Sequence, residues 1–307
     1  MRKTLGVNIS HNVSFAYFED GILKEYYEED RFNKIKHFEP ETNEFFEYVY
    51  EYQALKKFKN ITFDAVIFAS YDRGHYMFDY SIVKHFLKQI NYKKHAFFSQ
   101  NHHIYHALSG FYFSNFDEAI ALVSDGGGES YINLTFSALQ SIFIVNKNKI
   151  LDKYKFISNH KWQHFNYKEK FSKEETYKNV DYVISNQAKA GAKYLNYLSE
   201  AGFKDNEEGQ MMGIAAYKNK KTNLDQKVLE IANKAQEETL EDFIELMEKT
   251  KKYSDCKNII LSGGYHLNCS NNFKIVKKYP EYNFFVDPIA YDGGTAVGAA
   301  YYYENYL

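Results

Sequence analysis

Cysteine and proline are nearly missing from this chain: its 307 residues include two Cys and three Pro. Cys256 and Cys269 cannot make a disulfide framework, so the expected compartment is a reducing one. No apolar run approaches the roughly 20 residues that a membrane span needs. The opening MRKTLGVNISHN has no apolar stretch of the signal-peptide kind, and a soluble, cytoplasmic protein without membrane contact is the expectation. Strong charge of either sign is missing too. With a formal net charge of −2, no global field attracts nucleic acid or an anionic membrane. What abounds is aromatic, 29 Tyr and 26 Phe beside much Lys, Asn and Ile, a set that fits low-GC coding bias better than function. An apolar fraction of 45% and a charged fraction of 25% belong to a soluble globular protein, long enough for two lobes.

The stretch around which the chain is organised is AIALVSDGGGES, residues 119–130. A buried-strand run ends in Asp125 and three glycines, Gly126, Gly127 and Gly128. Such a turn offers backbone N–H groups to phosphate oxygens and a carboxylate to a cation or a reacting group. It is equally the pattern of a glycine-rich hairpin turn. Upstream, 4–9, 14–19 and 22–28 predict an antiparallel meander with His11 in its first turn and an Asp20-Gly21 hairpin. Residues 41–56 and 78–89 have helical spacing on either side of a strand at 64–70. Asn101 opens a helix in which His102 and His106, four apart, share one face. That spacing can chelate a metal, and it also occurs on ordinary surface helices.

Further strands are expected at 131–136 and 140–145, so a second meander follows Asp125 as the first surrounds His11. That echo suggests an internal duplication, with a first α/β lobe over 1–115 and a second over 116–307. Segment 147–193 holds 11 Lys against 5 acidic residues, interleaved with Tyr154, Phe156, Trp162, Phe165, Tyr167 and Phe171. It reads as a lysine-rich surface loop or, alternatively, as an acceptor-binding region that stacks bases and tracks phosphates. A loop and short helix at 207–213 and an amphipathic scaffold helix at 222–250 come next. A strand at 258–261 then ends in Gly263-Gly264, a turn that can let a nucleotide lie against backbone. The last strand, 284–287, leads to Asp292 at a glycine turn and a small-residue helix at 296–300.

In order, the chain presents His11, a His-x-x-x-His helix, Asp-Gly-x-Gly-Glu, Glu-Gly-x-x-Met-Gly, Gly-Gly-x-x-x-Asn and Asp-x-Gly-Thr-Ala-x-Gly-Ala-Ala. This series resembles the O-carbamoyltransferase family of nodulation-factor and antibiotic biosynthesis, from about residue 4 to residue 303. More distantly it is similar to the universal tRNA threonylcarbamoyladenosine transferase. The resemblance implies an α/β, two-lobed, actin-like and hexokinase-like ATPase fold with duplicated RNase H-like lobes. It also implies transfer of a carbamoyl group from carbamoyl-adenylate, made from carbamoyl phosphate and ATP, to an acceptor hydroxyl. By motif, His102, His106 and Asp292 would be ligands of a divalent metal, Fe2+ first, with Zn2+ or Mg2+ as alternatives. Asp125 would sit at the metal and phosphate, and Gly126, Gly127 and Gly128 on the phosphate. Gly263, Gly264 and Asn268 would line the nucleotide, and Glu208 its ribose or base. His11 would act as general base or oxyanion donor, while Arg31, Lys36 and His37 would balance leaving-group charge.

Two departures stand out: Asn12 replaces the family's usual Asp, and Gln210 replaces a Lys that would supply a fixed positive charge near the nucleotide. Family members also continue into an adenylate-forming domain, which leads to the expectation of a separate subunit for that step. The acceptor is left open between a small sugar-like molecule and a hydroxymethylated base in DNA, and the oligomeric state is unassigned. The alternatives are a small-molecule kinase of the same superfamily and a non-catalytic regulatory subunit of a carbamoylating complex. Paired imidazoles argue against the kinase, whose Mg2+ takes oxygen ligands.

Overall fold

Alternating apolar residues early in the chain form strands, as their period-2 pattern dictates. The computed structural model describes residues 1–41, 43, 47–69, 80–98, 101–131, 136–159, 171–218 and 220–307. β1 (Lys3–Asn8), β2 (Ser14–Glu19) and β3 (Ile22–Glu28) form the antiparallel meander, and a single turn of helix, α1 (Asp30–Asn33), follows it. β4 (Thr62–Ala69) lies parallel to β1. After α2 (Tyr80–Leu87), β5 (Asn91–Phe97) adds parallel to β4, giving the order β3-β2-β1-β4-β5.

The helix expected over 41–56 does not form in the described part of that stretch; Thr42 and residues 44–46, Phe45 among them, lie outside it. Only a short 3-10 turn, Ala54–Phe58, is helical. Tyr48, Tyr50 and Tyr52 instead face inward at every second position. The ring of Tyr50 packs on Phe38 at 4.4 Å and that of Tyr52 on Phe15 at 5.8 Å. The buried Glu29 carboxylate then accepts the amides of Gln53 and Ala54 at 2.6 and 3.0 Å. An extended path satisfies both demands, and aromatic residues resist helix little enough to be overruled.

The second lobe repeats the first. After α3 (His102–Ser114) come β6 (Glu118–Ser124), the short β7 (Ser130–Tyr131), β8 (Phe136–Asn146) and β9 (Lys149–Ser158). β10 (Ser172–Tyr177) and β11 (Val180–Ser185) extend the sheet beyond β9. α4 (Ala190–Glu200), α5 (Glu208–Ala215) and α6 (Gln226–Thr250) follow, and then β12 (Asn258–Ser262), α7 (Cys269–Lys278), β13 (Asn283–Val286) and α8 (Thr295–Tyr306). β6 pairs antiparallel with β8, and β8 with β9. β12 lies parallel to β6 and β13 parallel to β12. The order β9-β8-β6-β12-β13 therefore matches β3-β2-β1-β4-β5 strand for strand and direction for direction. The strand expected at 140–145 lies within β8; of the one expected at 131–136, Tyr131 ends β7, Phe136 opens β8 and residues 132–135 lie outside the described set.

The described part of segment 147–193 is mostly regular structure. It supplies β9, β10, β11 and the start of α4, with Tyr154 and Phe156 in the second core. Three of its described lysines are in ion pairs with buried acids: Lys155 with Glu129 at 2.5 Å, and Lys189 and Lys193 with Asp242 at 3.0 and 2.8 Å. Trp162, Phe165, Tyr167, His160 and His164 lie outside the described residues. Among the described residues, no helix is long and apolar enough to cross a membrane.

Two helices tie the lobes together. α3 packs Ala107, Leu108 and Phe111 on β6 and β12 of the second sheet. α8 lays Ala296, Val297, Ala299 and Ala300 on β1, β2 and β4 of the first. A cut at 115/116 thus separates the two sheets but not the helices that cover them. α3 and α8 cross at Gly298, where an added Cβ would come 1.9 Å from the Tyr105 carbonyl oxygen. Backbone cannot yield as a side-chain tip does. Gly298→Ala should therefore cost about 1–3 kcal/mol or more, seen as a lower urea midpoint at unchanged slope. An unchanged midpoint would show that the helices can part freely.

Candidate metal and transfer site

The repeated topology places equivalent strand ends at one cleft. β1 runs out into Ser10-His11-Asn12, β6 into Asp125, and a 3-10 turn before α8 carries Asp292. α3 brings His102 and His106 to the same point, one turn apart and both buried. The Nε2 atoms of the two histidines stand 3.2 Å apart. His102 Nε2 is 3.3 Å from Asp125 Oδ2 and 3.6 Å from Asp292 Oδ1. His106 Nε2 is 3.9 and 3.5 Å from the same oxygens. One ligand atom from each of the four residues lies within 4.8 Å of the others.

A hydrogen bond between the two imidazoles accounts for one of these contacts and leaves the convergence with two carboxylate oxygens unexplained. A point that draws two such nitrogens and two carboxylate oxygens together is one where a positive charge belongs. Ligands about 2.1 Å from one ion sit roughly 3.0–3.4 Å from each other in octahedral or tetrahedral arrangements, close to the spacing found. The donor set fits a divalent metal. Two nitrogens with two oxygens suit Fe2+ or Zn2+ better than Mg2+, which prefers oxygen alone.

A family model described as Carbamoyltransferase N-terminus matches residues 12–301. The chain belongs to that family. Membership makes it a domain of the carbamoyl-transfer class. It is 26% identical over 223 residues to an uncharacterized Synechocystis protein, sll1178, matching 65% of this chain and 35% of that one. Full-length HypF, solved in a phosphate- and nucleotide-bound form, aligns with 99% of this chain and 55% of its own length, at a TM-score of 0.58 and 10% identity. HypF from T. kodakarensis aligns with 100% of this chain and 48% of its own, at 0.54 and 12%. A ROK hexokinase from Thermus thermophilus gives 0.50 and 10%, with 97% and 98% covered. The fold is the two-sheet α/β fold of the actin-like and hexokinase-like ATPases, and the chain spans about a third of the Synechocystis protein and about half of each HypF chain.

Within this family member the glycines have specific work. Gly263 has φ of +93°, and an added Cβ would lie 2.3 Å from the Ser124 carbonyl oxygen. Only glycine suits that turn. Its neighbour Gly264 donates its amide to Asp125 Oδ1 at 3.0 Å, leaving Oδ2 for His102. Both glycines thus orient Asp125. Of the Asp125 loop, Gly126 and Gly127 are half-buried. The Gly128 amide is bonded to the Ala138 carbonyl at 2.7 Å, so it is not free for phosphate. Asn268 caps α7 through Asn271 N at 3.2 Å and donates to Gln236 Oε1 at 3.0 Å, a structural engagement of both its polar atoms. Glu208 sits half-buried in the first turn of α5. Arg31 is exposed and paired with Glu28 and Asp30 at 3.4 and 3.6 Å, and Lys36 is exposed too, unlike the buried cluster.

His11 Nε2 lies 3.0 Å from Asp292 Oδ2. The Asp292 charge holds His11 up at about 10. Burial disfavours ionised Asp125 and Asp292, but His102 brings Asp125 down to about 2, and His11 and His102 hold Asp292 well below its ordinary range. Burial likewise opposes a charged His102, which the Asp292 charge outweighs.

One buried network escaped sequence reasoning. Glu129, fully buried, pairs with Lys155 and accepts the His103 amide at 3.1 Å, at the start of α3. His103 Nδ1 meets Ser141 Oγ at 2.7 Å. Glu129 ends the Asp-Gly-Gly-Gly-Glu run, and that adjacency was its one visible signal. Lys155 was hidden among surface lysines.

Proposed function

We propose that the chain holds carbamoyl-adenylate in the cleft between its lobes and transfers the carbamoyl group to an acceptor hydroxyl. The observation that supports this most directly is the meeting of His11 with the His102, His106, Asp125 and Asp292 cluster in a member of the carbamoyltransferase family. The acceptor oxygen attacks the carbamoyl carbon, the bond from that carbon to the bridging phosphate oxygen breaks, and AMP leaves. The acceptor proton passes to His11 Nε2, which faces the cluster. His102, His106, Asp125 and Asp292 would hold a divalent metal, which supplies charge to offset the two carboxylates and the leaving phosphate. Offsetting Asp292 weakens the pull that keeps His11 protonated, so the same ring can accept a proton. Arg31 and Lys36 are the proposed neutralisers of leaving-group charge, His37 a hydrogen-bond donor to it, and Glu208 with Gly126 and Gly127 the nucleotide contacts. The adenylate would come from carbamoyl phosphate and ATP through a further domain or subunit.

Incubating the metal-loaded chain with carbamoyl-adenylate and a panel of sugar-like hydroxyl compounds and hydroxymethylated DNA tests the reading by mass spectrometry. A carbamoyl mass gain on one acceptor is expected, and no gain on any of them counts against it. His11→Ala should keep nucleotide affinity while lowering transfer by about 100-fold or more. Equal loss of binding and transfer would make His11 a binding residue only.

A further inference from the structure

Asn12 stands between two histidines. His11 Nδ1 lies 2.9 Å from Asn12 Oδ1, and Asn12 Nδ2 lies 3.0 Å from His37 Nδ1. The contact is built into the backbone as well as the side chains. Asn12 and His37 both occupy the left-handed region, at φ of 61° and 56°. That conformation is unusual for histidine and persists where the surroundings hold it. The next residues lock the same two loops, with Val13 N donating to the Phe38 carbonyl at 3.3 Å. Asn8 Nδ2 donates to the carbonyls of His11 and Asn12, at 3.0 and 3.2 Å, from within β1.

A carboxamide has one accepting edge and one donating edge. Two imidazole Nδ1 atoms on opposite edges therefore cannot be in the same state: one carries hydrogen and the other does not. With the amide as found, His11 carries a hydrogen on Nδ1, whatever its Nε2 holds toward Asp292, and His37 carries its hydrogen on Nε2. A carboxylate at position 12 has two accepting edges and would impose Nδ1–H on both rings.

We propose that Asn12 is a positioning residue that sets opposite Nδ1 states on His11 and His37, so that His11 donates from Nδ1 and turns Nε2 to Asp292 and the reacting groups while His37 presents an Nε2–H donor. Among the described residues His37 Nε2 has no hydrogen-bond partner of its own, which leaves that donor for a ligand. The kinetic consequence rests on the carbamoyl-transfer reading above; the tautomer assignment does not.

Long-range 1H–15N correlation spectra of the chain with 15N-labelled histidine test the assignment directly, with Zn2+ bound and without it. Expected are a hydrogen-free Nδ1 on His37 and a hydrogen-bearing Nδ1 on His11. Asn12→Asp, which has nearly the same shape, should convert His37 to the Nδ1–H form. The same variant should lower kcat for transfer by about tenfold or more with KM for carbamoyl-adenylate within about twofold, and Asn12→Ala should leave both rings as tautomer mixtures. Identical Nδ1 states on the two wild-type rings, or a His37 signal unchanged in Asn12→Asp, would overturn the proposal even if transfer is observed. The expected spectra with no acceptor carbamoylated would instead sink the transfer reading and leave the role of Asn12 standing.

Discussion

His106→Ala should fold and lose its metal. The proposed site has two imidazole ligands, and Nε2 of His106 lies within 3.2–3.9 Å of the donor atoms of its three partners. Changing residues that merely support a ligand costs 10–100-fold in affinity, so losing a ligand outright should cost more than about 100-fold. Metal analysis of purified protein should fall from near one equivalent to a small fraction. His106→Gln, closer in volume, should fall similarly and separates ligand loss from a packing defect. Unchanged metal content in both would remove the cluster as the metal site. The pH dependence has a definite sign. His102 is held above the ordinary histidine value, and a protonated imidazole cannot ligate. Metal uptake should therefore release protons and weaken as pH falls through that raised value, at a higher pH than for an ordinary histidine ligand.

Lys155→Met should be the most destabilising of the substitutions considered. Lys155 and Glu129 are both buried, 3% and 0% exposed. Removing one partner of such a pair leaves an unpaired charge in the interior, at about 3–5 kcal/mol. Urea unfolding should show that loss, and the double variant Glu129→Gln/Lys155→Met should recover a large part of it. A loss below about 1 kcal/mol would mean that the pair is solvated. Burial opposes both charges, but Lys155 pulls Glu129 well below its usual range and Glu129 pushes Lys155 well above its own. The carboxylate's contribution is complete above the unfolded Glu value near 4.3 and is lost as pH falls through the depressed folded value. That of the ammonium is complete below the unfolded Lys value near 10.4 and is lost as pH rises through the raised one. The pair should thus stabilise the fold fully between about pH 5 and 10. Because the Glu129 carboxylate also accepts the His103 amide in the first turn of α3, Lys155→Met should loosen metal binding as well as the core.

Several elements were legible because local pattern and tertiary demand agree. The Asp20-Gly21 hairpin, the helix carrying His102 and His106, and the scaffold helix starting at its Asp225 cap formed near the expected residues. The run at 47–52 was misread because Phe45, Val49 and Tyr50 fit a helical spacing, whereas Tyr48, Tyr50 and Tyr52 recur at period 2 and the core, with Glu29, chose the extended path. The lysines of 147–193 looked solvated since a sequence does not show that Asp242, Glu129 and Asp152 wait on other elements to pair with them.

The order of motifs, the spacing of His102 and His106, and the carboxylates at glycine turns are properties of the chain alone, because each depends on neighbours within one turn or strand end. That Asp125 and Asp292, 167 positions apart in numbering, point at the same two imidazoles is decided only by the crossing of α3 and α8 over two like sheets. So is the place of Asn12 between His11 and His37, since a hydrogen bond to a distant loop leaves no period or composition to detect.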